Sequence, residues 1–221
     1  NDDSKAFNEG VWKKVVEMGW LGTAIPEEHG GLGLGMLEMC VLAEEMGRVL
    51  APVPFASTAY FFTEAVKLAG SAEQQANLFP KIVSGDVVGC YAASEGPGNP
   101  DAGSLKTSFD GKTLSGLKVP VTDGDVATHA VVLAKEGAGA SLVLVDLSQN
   151  GVGKKVLSTL DPTRSHAELT FDKVPATRLG KAGDGDRLND ELLDRVAVLL
   201  AFEQLGGASR CLEMAKDYAM E

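Results

Sequence analysis

The chain changes its hydrophobic period twice. Apolar residues recur at helical spacing up to about residue 85 and fall into short β-rich runs from about 87 to 180. They return to helical spacing from about 186 to the last residue, 221. Two helical zones therefore flank a block of strands. No helical stretch of useful length lies between those strands, so the block predicts an antiparallel sheet or barrel and not strand–helix–strand units.

In the first zone, Met39, Leu42, Ala43, Met46, Val49 and Leu50 share one helical face, with Glu38, Glu44, Glu45 and Arg48 opposite. An earlier helix carries Phe7, Val11, Trp12 and Val15 and stops near Gly19. Pro52 and Pro54 break the chain. Ser71 and Gln74 have capping-box spacing, and Pro80 suits the first turn of a further short helix. The middle zone predicts strands at 87–93, 104–109, 113–119, 130–134, 142–146 and 167–171. Asp110-Gly111, Asp123-Gly124 and Asn150-Gly151 are turns between them. In the last zone Leu188, Leu192, Val196, Leu199 and Leu200 begin an apolar face that runs on through Leu205, Leu212, Met214 and Tyr218. That is one helix of more than about 30 residues. Alone it cannot bury its apolar side, so its partners are expected outside this sequence or on another chain.

Composition narrows the function classes. Lys and Arg number 20 against 31 Asp and Glu, a net charge of −11 that disfavours nucleic acid and anionic membrane surfaces. No apolar run approaches the ~20 residues of a membrane span. The opening residues, Asn1 to Lys5, are polar and unlike a signal peptide. Cys40, Cys90 and Cys211 are odd in number and far apart. They predict neither a disulfide framework nor a zinc site, and a reducing, cytoplasmic setting. No metal site is expected.

Gly30-Gly31-Leu32-Gly33-Leu34-Gly35 looks like a dinucleotide fingerprint, but a proline-containing loop precedes it where a strand is required. It therefore predicts a glycine turn between helices. His29, His129 and His166 stand alone, without partners at ligand or triad spacing. Glu203, among apolar neighbours on the last helix, reads as a helix–helix contact. The segment from Tyr91 to Asp101 follows a strand and carries glycines that let a ligand approach backbone N–H groups and the Ser94 hydroxyl. Taken alone, it reads first as an ordinary Gly/Pro turn. Thr122 likewise places a hydroxyl before a tight turn.

Those two segments, in that order, resemble the flavin-dependent acyl-CoA dehydrogenases. The likeness covers nearly the whole chain. Gly19-Trp20-Leu21-Gly22 with Ile25 to Gly33 is similar to the family's N-terminal signature, and Leu78 to Gly85 to its entry into the β-domain. Tyr91–Asp101 and Gly116–Gly124 are similar to its two flavin loops, and Phe171 to Pro175 to the closing β motif. Ala201 to Ala219 resembles the first long C-terminal helix. The resemblance implies a helical domain over 1–86, an antiparallel β-barrel-like domain over 87–180, and the first helix of an incomplete bundle over 181–221. It implies FAD as cofactor and α,β-dehydrogenation of an acyl-CoA thioester. An electron-transfer flavoprotein or similar acceptor and a homo- or hetero-oligomer are implied as partners. Tyr91, Ala93, Ser94, Val121 and Thr122 fall at cofactor positions, and Pro100 and Arg195 at substrate positions. The usual catalytic glutamate falls beyond Glu221, and Asp194 is the nearest acid on the first C-terminal helix. Pro120 for tryptophan, Pro100 for serine, Gly96 for proline and Asp123 for asparagine depart from the family pattern. They suit a bulky acyl group or a subunit without its own active site. A flavin oxidase or monooxygenase on the same scaffold is the third reading.

Overall fold

Helix starts follow local chemistry. Asn8 caps α1 (Glu9–Glu17) by accepting from the Val11 N–H, and Gly19 at φ 71° ends that turn of the chain. Helix α2 spans Met36–Arg48. Helix α4 (Ala72–Val83) opens on the full Ser71–Gln74 capping box. Ser71→Ala is expected to cost about 1 kcal/mol, read as a lower midpoint in urea unfolding at unchanged m-value. Pro80 corrects one expectation. It starts no new helix but sits in the last turns of α4, where that helix runs unbroken to Val83. The computed structural model describes residues 7–161 and 163–221. The polar start, Asn1 to Lys5, lies outside the described residues.

Residues Ala56–Phe62 form a π-helix that runs directly into α3 (Thr63–Ala69). Sequence periodicity did not predict it, because its buried residues, Ala56 to Tyr60 and Phe62, are nearly consecutive and define no single face. Gly30-Gly31-Leu32-Gly33 is the expected turn, with Gly30 and Gly33 at φ 83° and 63°.

Among the described residues eight strands follow: β1 (Gly89–Ala92), β2 (Ser108–Phe109), β3 (Thr113–Thr122), β4 (His129–Glu136), β5 (Gly139–Asp146), β6 (Val152–Val156), β7 (His166–Pro175) and β8 (Thr177–Leu179). They form one open sheet in the order β6-β7-β3-β2-β4-β5-β8, with β1 also paired to β4. The lack of helices between the strands suggested a purely antiparallel sheet, but β1 and β2 both pair parallel to β4. Alternation fixes which face a residue takes but not the direction of the neighbouring strand. Strand β6 was missed because its middle is Gly153-Lys154-Lys155 on an edge, where nothing apolar marks it.

Strand β4 is covered on both faces. Val131 and Leu133 join the core shared with the helices, while Ala130, Val132 and Ala134 join a second core with Leu169 and Phe171 of β7. Helix α5 runs the full 36 residues Gly185–Met220. Its stripe Leu188, Leu192, Val196 and Leu199 is buried. Beyond Gly206 the expected apolar face is open, with Leu212 72% and Tyr218 82% exposed. Helices α2 and α5 cross at Gly47 and Gly206: a Cβ on Gly47 would overlap the Glu203 carbonyl oxygen, and one on Gly206 the Glu44 carbonyl oxygen. Val49 and Leu50, expected on the buried face of α2, lie past its end and are 68% and 62% exposed.

Candidate functional site

Two places on the sheet domain gather the candidate residues. The first is the loop after β1. Lys118 of β3 is completely buried, and its Nζ donates to the Ala93 carbonyl at 2.9 Å and to Glu95 Oε1 at 2.8 Å. Glu95 also accepts from the backbone N–H of Lys106 and Thr107, at 2.8 and 2.9 Å. Burial alone would raise the Glu95 carboxyl. The Lys118 ammonium and the two N–H groups overcome it and hold Glu95 at about 2. Loss of solvent pulls Lys118 down to about 8, against the opposing pull of Glu95. Both groups are charged at neutral pH. The Ser94 carbonyl accepts from the Val119 N–H at 2.9 Å, and the Ser94 hydroxyl donates to the Gly96 carbonyl at 3.0 Å. The loop backbone from Ala93 to Gly96 is thus tied down at successive residues. Gly96 and Gly98, at φ 117° and 109°, have open space where a Cβ would stand.

Tyr91 lies at the foot of this loop. Its ring stacks on Phe61 with centroids 6.0 Å apart, and its hydroxyl donates to Asn189 Oδ1 of α5 at 2.6 Å. Burial pushes its phenol pKa up. Pro100 is half-buried in the stretch after Gly98, where the Ala102 N–H reaches Asp186 of α5 at 3.2 Å.

The second place is a cavity of about 300 Å³ between the end of β3, the 50–56 segment, the loop before β7 and α5. Thr122 lines it. The ladder of β3 on β7 shifts register between Lys118 and Val121, and Pro120 occupies that irregularity, where a missing N–H breaks no regular pair. Beyond the shift, the Val121 side chain turns inward and is fully buried in the second core. Thr122 turns outward, opposite His166. Asp123 then takes φ 55°, accepts from Ser57 Oγ at 2.6 Å, and so pins the turn to the π-helix. Burial raises its carboxyl pKa, and the Ser57 hydrogen bond counters that.

Across the cavity from Thr122 stands Glu203. Its Oε1 is ion-paired with Arg164, and its carboxylate also faces the buried Tyr60 hydroxyl. Burial raises its carboxyl and Arg164 opposes the rise. Arg195 is elsewhere. It bonds Glu191 at 2.8 Å and lies 3.6 Å from the buried Glu64, which also holds Lys67. Asp194 is on the solvent face of α5. The structure therefore brings Thr122 together with Glu203, Arg164 and His166, and brings neither Asp194 nor Arg195 into that cavity.

Glu203 was readable as more than a helix contact. It continues the spacing of Leu192, Val196 and Leu199 toward Gly206, so an acid sits on the buried stripe. Lys118 gave a similar signal, since it occupies an inward position of a strand and needs an acid partner. Nothing in the sequence joined Arg164 to Glu203.

Residues 1–86 match the family model for the acyl-CoA dehydrogenase N-terminal domain. An acyl-CoA dehydrogenase of Bacillus subtilis is 32% identical over 225 residues, covering 95% of this chain and 59% of the relative. The chain belongs to the acyl-CoA dehydrogenase family. An acryloyl-CoA reductase (NADH) of Anaerotignum propionicum is 30% identical, over 100% of this chain and 60% of its own length. The ChsE4-ChsE5 complex from Mycobacterium tuberculosis aligns with a TM-score of 0.84 at 28% identity.

 That alignment spans 98% of this chain and 58% of the solved one. The chain thus spans about 60% of the length of the relatives it matches. An acyl-CoA dehydrogenase and an acryloyl-CoA reductase stand at nearly equal identity, so the family alone leaves the direction of the reaction open. Among the described residues, no helix is long and apolar enough to cross a membrane.

Proposed function

We propose that this chain carries the helical N-terminal domain (1–86), the sheet domain (87–180) and the first helix of the C-terminal domain (181–221) of an FAD-dependent acyl-CoA dehydrogenase. The carrying observation is the anchored loop at Ala93–Gly96 beside the outward-facing Thr122. Ala93 and Ser94 are held by Lys118, Glu95 and Val119, while Gly96 and Gly98 leave the backbone open to a flat polar ring edge. That arrangement fits a flavin. Ser94 offers its hydroxyl and Thr122 a second one, whereas Val121 offers no side chain, because it is buried inward.

Bound flavin supplies the hydride acceptor for oxidation of an acyl-CoA at its α,β-carbons. The chain's own residues orient and exclude water. Tyr91 and Phe61 form an aromatic wall tied to α5 through Asn189. In this reading Pro100 and Arg195 border the substrate, with Arg195 acting through the Glu64 cluster that fixes α3 against α5. The α-proton needs a free carboxylate. Asp194 faces solvent and Glu203 is held by Arg164, so neither is offered as the base, and the reading keeps the family's usual glutamate beyond Glu221. An electron-transfer flavoprotein is the proposed electron acceptor, in the cytoplasm.

The test is FAD binding. The purified chain, incubated with FAD and desalted, is expected to keep a flavin absorption band, and Thr122→Ala to weaken FAD binding about tenfold, the effect of one lost hydrogen bond to a polar ring. Wild-type affinity in Thr122→Ala would remove Thr122 from the site. A chain that keeps no flavin would count against the Ala93–Thr122 surface holding it unaided.

A second reading, a half-site subunit of a heteromeric dehydrogenase, is favoured by the solvent-facing Asp194 and by the likeness to a two-protein complex. Co-purification of a flavin-bearing partner chain would support it over a homo-oligomer.

A further inference from the structure

Among the described residues, Lys118 is the only lysine or arginine that is buried, and it sits against the loop after β1. Burying an ammonium is costly, and a well-packed apolar side chain would fill the same place at lower cost. Holding the loop in shape does not account for the charge. Ser94 and Glu95 are already tied by the N–H groups of Val119, Lys106 and Thr107. The Ala93 carbonyl, by contrast, takes the ammonium itself, at 2.9 Å.

The Ala93 carbonyl and the Ser94 N–H belong to one peptide unit. It is trans, so the two groups point in opposite directions. The Ser94 N–H meets no acceptor among the described residues. A buried ammonium therefore stands behind an unoccupied N–H. It draws electron density along the peptide and makes that N–H a stronger donor, as linked hydrogen bonds do inside proteins. Glu95 offsets part of the charge, but its carboxylate is shared with the Lys106 and Thr107 N–H groups.

We propose that Lys118 is a positioning residue that acts through the 93–94 peptide: it makes the Ser94 N–H a charge-backed donor that favours a ligand edge gaining negative charge. With the flavin reading, on which this rests, that edge is the pyrimidine side of the ring, which becomes negative on two-electron reduction. The loop then binds reduced FAD more tightly than an unsupported peptide would.

The experiment uses the 221-residue chain and has two arms. The first needs no flavin. A carbon-detected NMR spectrum correlates the Ala93 carbonyl carbon with the Ser94 nitrogen, the two nuclei of that one peptide. Burial brings Lys118 down to about 8 against the pull of Glu95. Among the described residues Glu95 is the only charged group that faces it: Leu169, opposite on β7, is apolar, and Lys106, beside Glu95, is exposed. As pH rises through that value, both signals are expected to move upfield, as a carbonyl does on losing a strong donor. Glu95→Gln removes the acid that keeps Lys118 charged, so the midpoint should shift to lower pH. Signals that stay fixed in the wild type would overturn the inference.

In the second arm FAD, oxidised or reduced by dithionite under nitrogen, is titrated at neutral pH into wild type and Lys118→Met. The preference for reduced over oxidised FAD is expected to fall about tenfold in the variant, or about 30 mV on a two-electron potential. A loop that had only lost its shape would bind both states more weakly by the same factor. If Lys118→Met does not fold, the wild type well above pH 8, where Lys118 is neutral, replaces it and should show the same fall. An unchanged preference in a chain that binds FAD would overturn the inference and leave the flavin reading standing. A wild-type chain that binds FAD in neither state would overturn both, and the Ala93–Ser94 signals would then report on the peptide alone.

Discussion

Gly206→Leu is expected to unfold the α2–α5 crossing. A Cβ at residue 206 already overlaps the Glu44 carbonyl oxygen, and rigid backbone cannot give way as a flexible side chain would. Overpacking a tight core commonly costs about 1–3 kcal/mol. Here the two helices must separate along their contact, so the loss is expected at the top of that range or above it. Thermal unfolding followed by circular dichroism checks this, with a drop of several degrees in Tm. Gly207→Leu is the control: its nearest contact is the Gly47 carbonyl oxygen at 3.6 Å, an ordinary approach, and the effect should be much smaller. Equal effects would mean that the close crossing is not what the glycine serves. The crossing also carries Glu203, whose carbonyl packs on Gly47, so parting the helices moves the acid away from Thr122.

The second large effect is expected at Lys118→Met. Removing one member of a buried ion pair leaves the other charge without its partner, which typically costs about 3–5 kcal/mol. Glu95 keeps only its two backbone donors, and the Ala93 carbonyl loses its own. Urea unfolding should show the loss at neutral pH. The pH dependence gives it a second signature. The Glu95 carboxyl is depressed to about 2 in the folded chain, below the ordinary 4.5. Its contribution to stability is therefore complete above about pH 4.5 and is lost as pH falls toward 2. In Lys118→Met the difference in stability between wild type and variant should shrink across that window. A difference that stays constant down to pH 2 would show that Lys118 acts through packing alone.

The helix that starts at the Ser71–Gln74 box and the long final helix were plain in the sequence, since Ser71 and the stripe from Leu188 to Leu199 act over neighbouring residues. What it could not show depends on contacts between distant segments. The parallel pairing of β1 with β4 is settled by where the chain returns and not by any alternation in Gly89–Ala92. The π-helix at 56–62 has no period of its own. In the candidate site, Thr122 was legible as a hydroxyl before a turn, and the structure does turn it outward. Beside it, the register shift at Pro120 turns the Val121 side chain inward, which nothing local in the sequence announces. Arg164 and Glu203 lie 39 residues apart in the chain, and only the fold brings them together.

The π-helix has one more consequence. Ser57 holds the turn at Asp123, Thr58 bonds Gly89 at the start of β1, Tyr60 stands beside Glu203 of α5, and Phe61 stacks on Tyr91. Four nearly consecutive side chains thus serve three separate parts of the molecule: the turn at Asp123, strand β1 and helix α5. A change at any of them must be answered in a different place, so the segment is expected to drift slowly in evolution and its substitutions to travel in pairs with those distant partners.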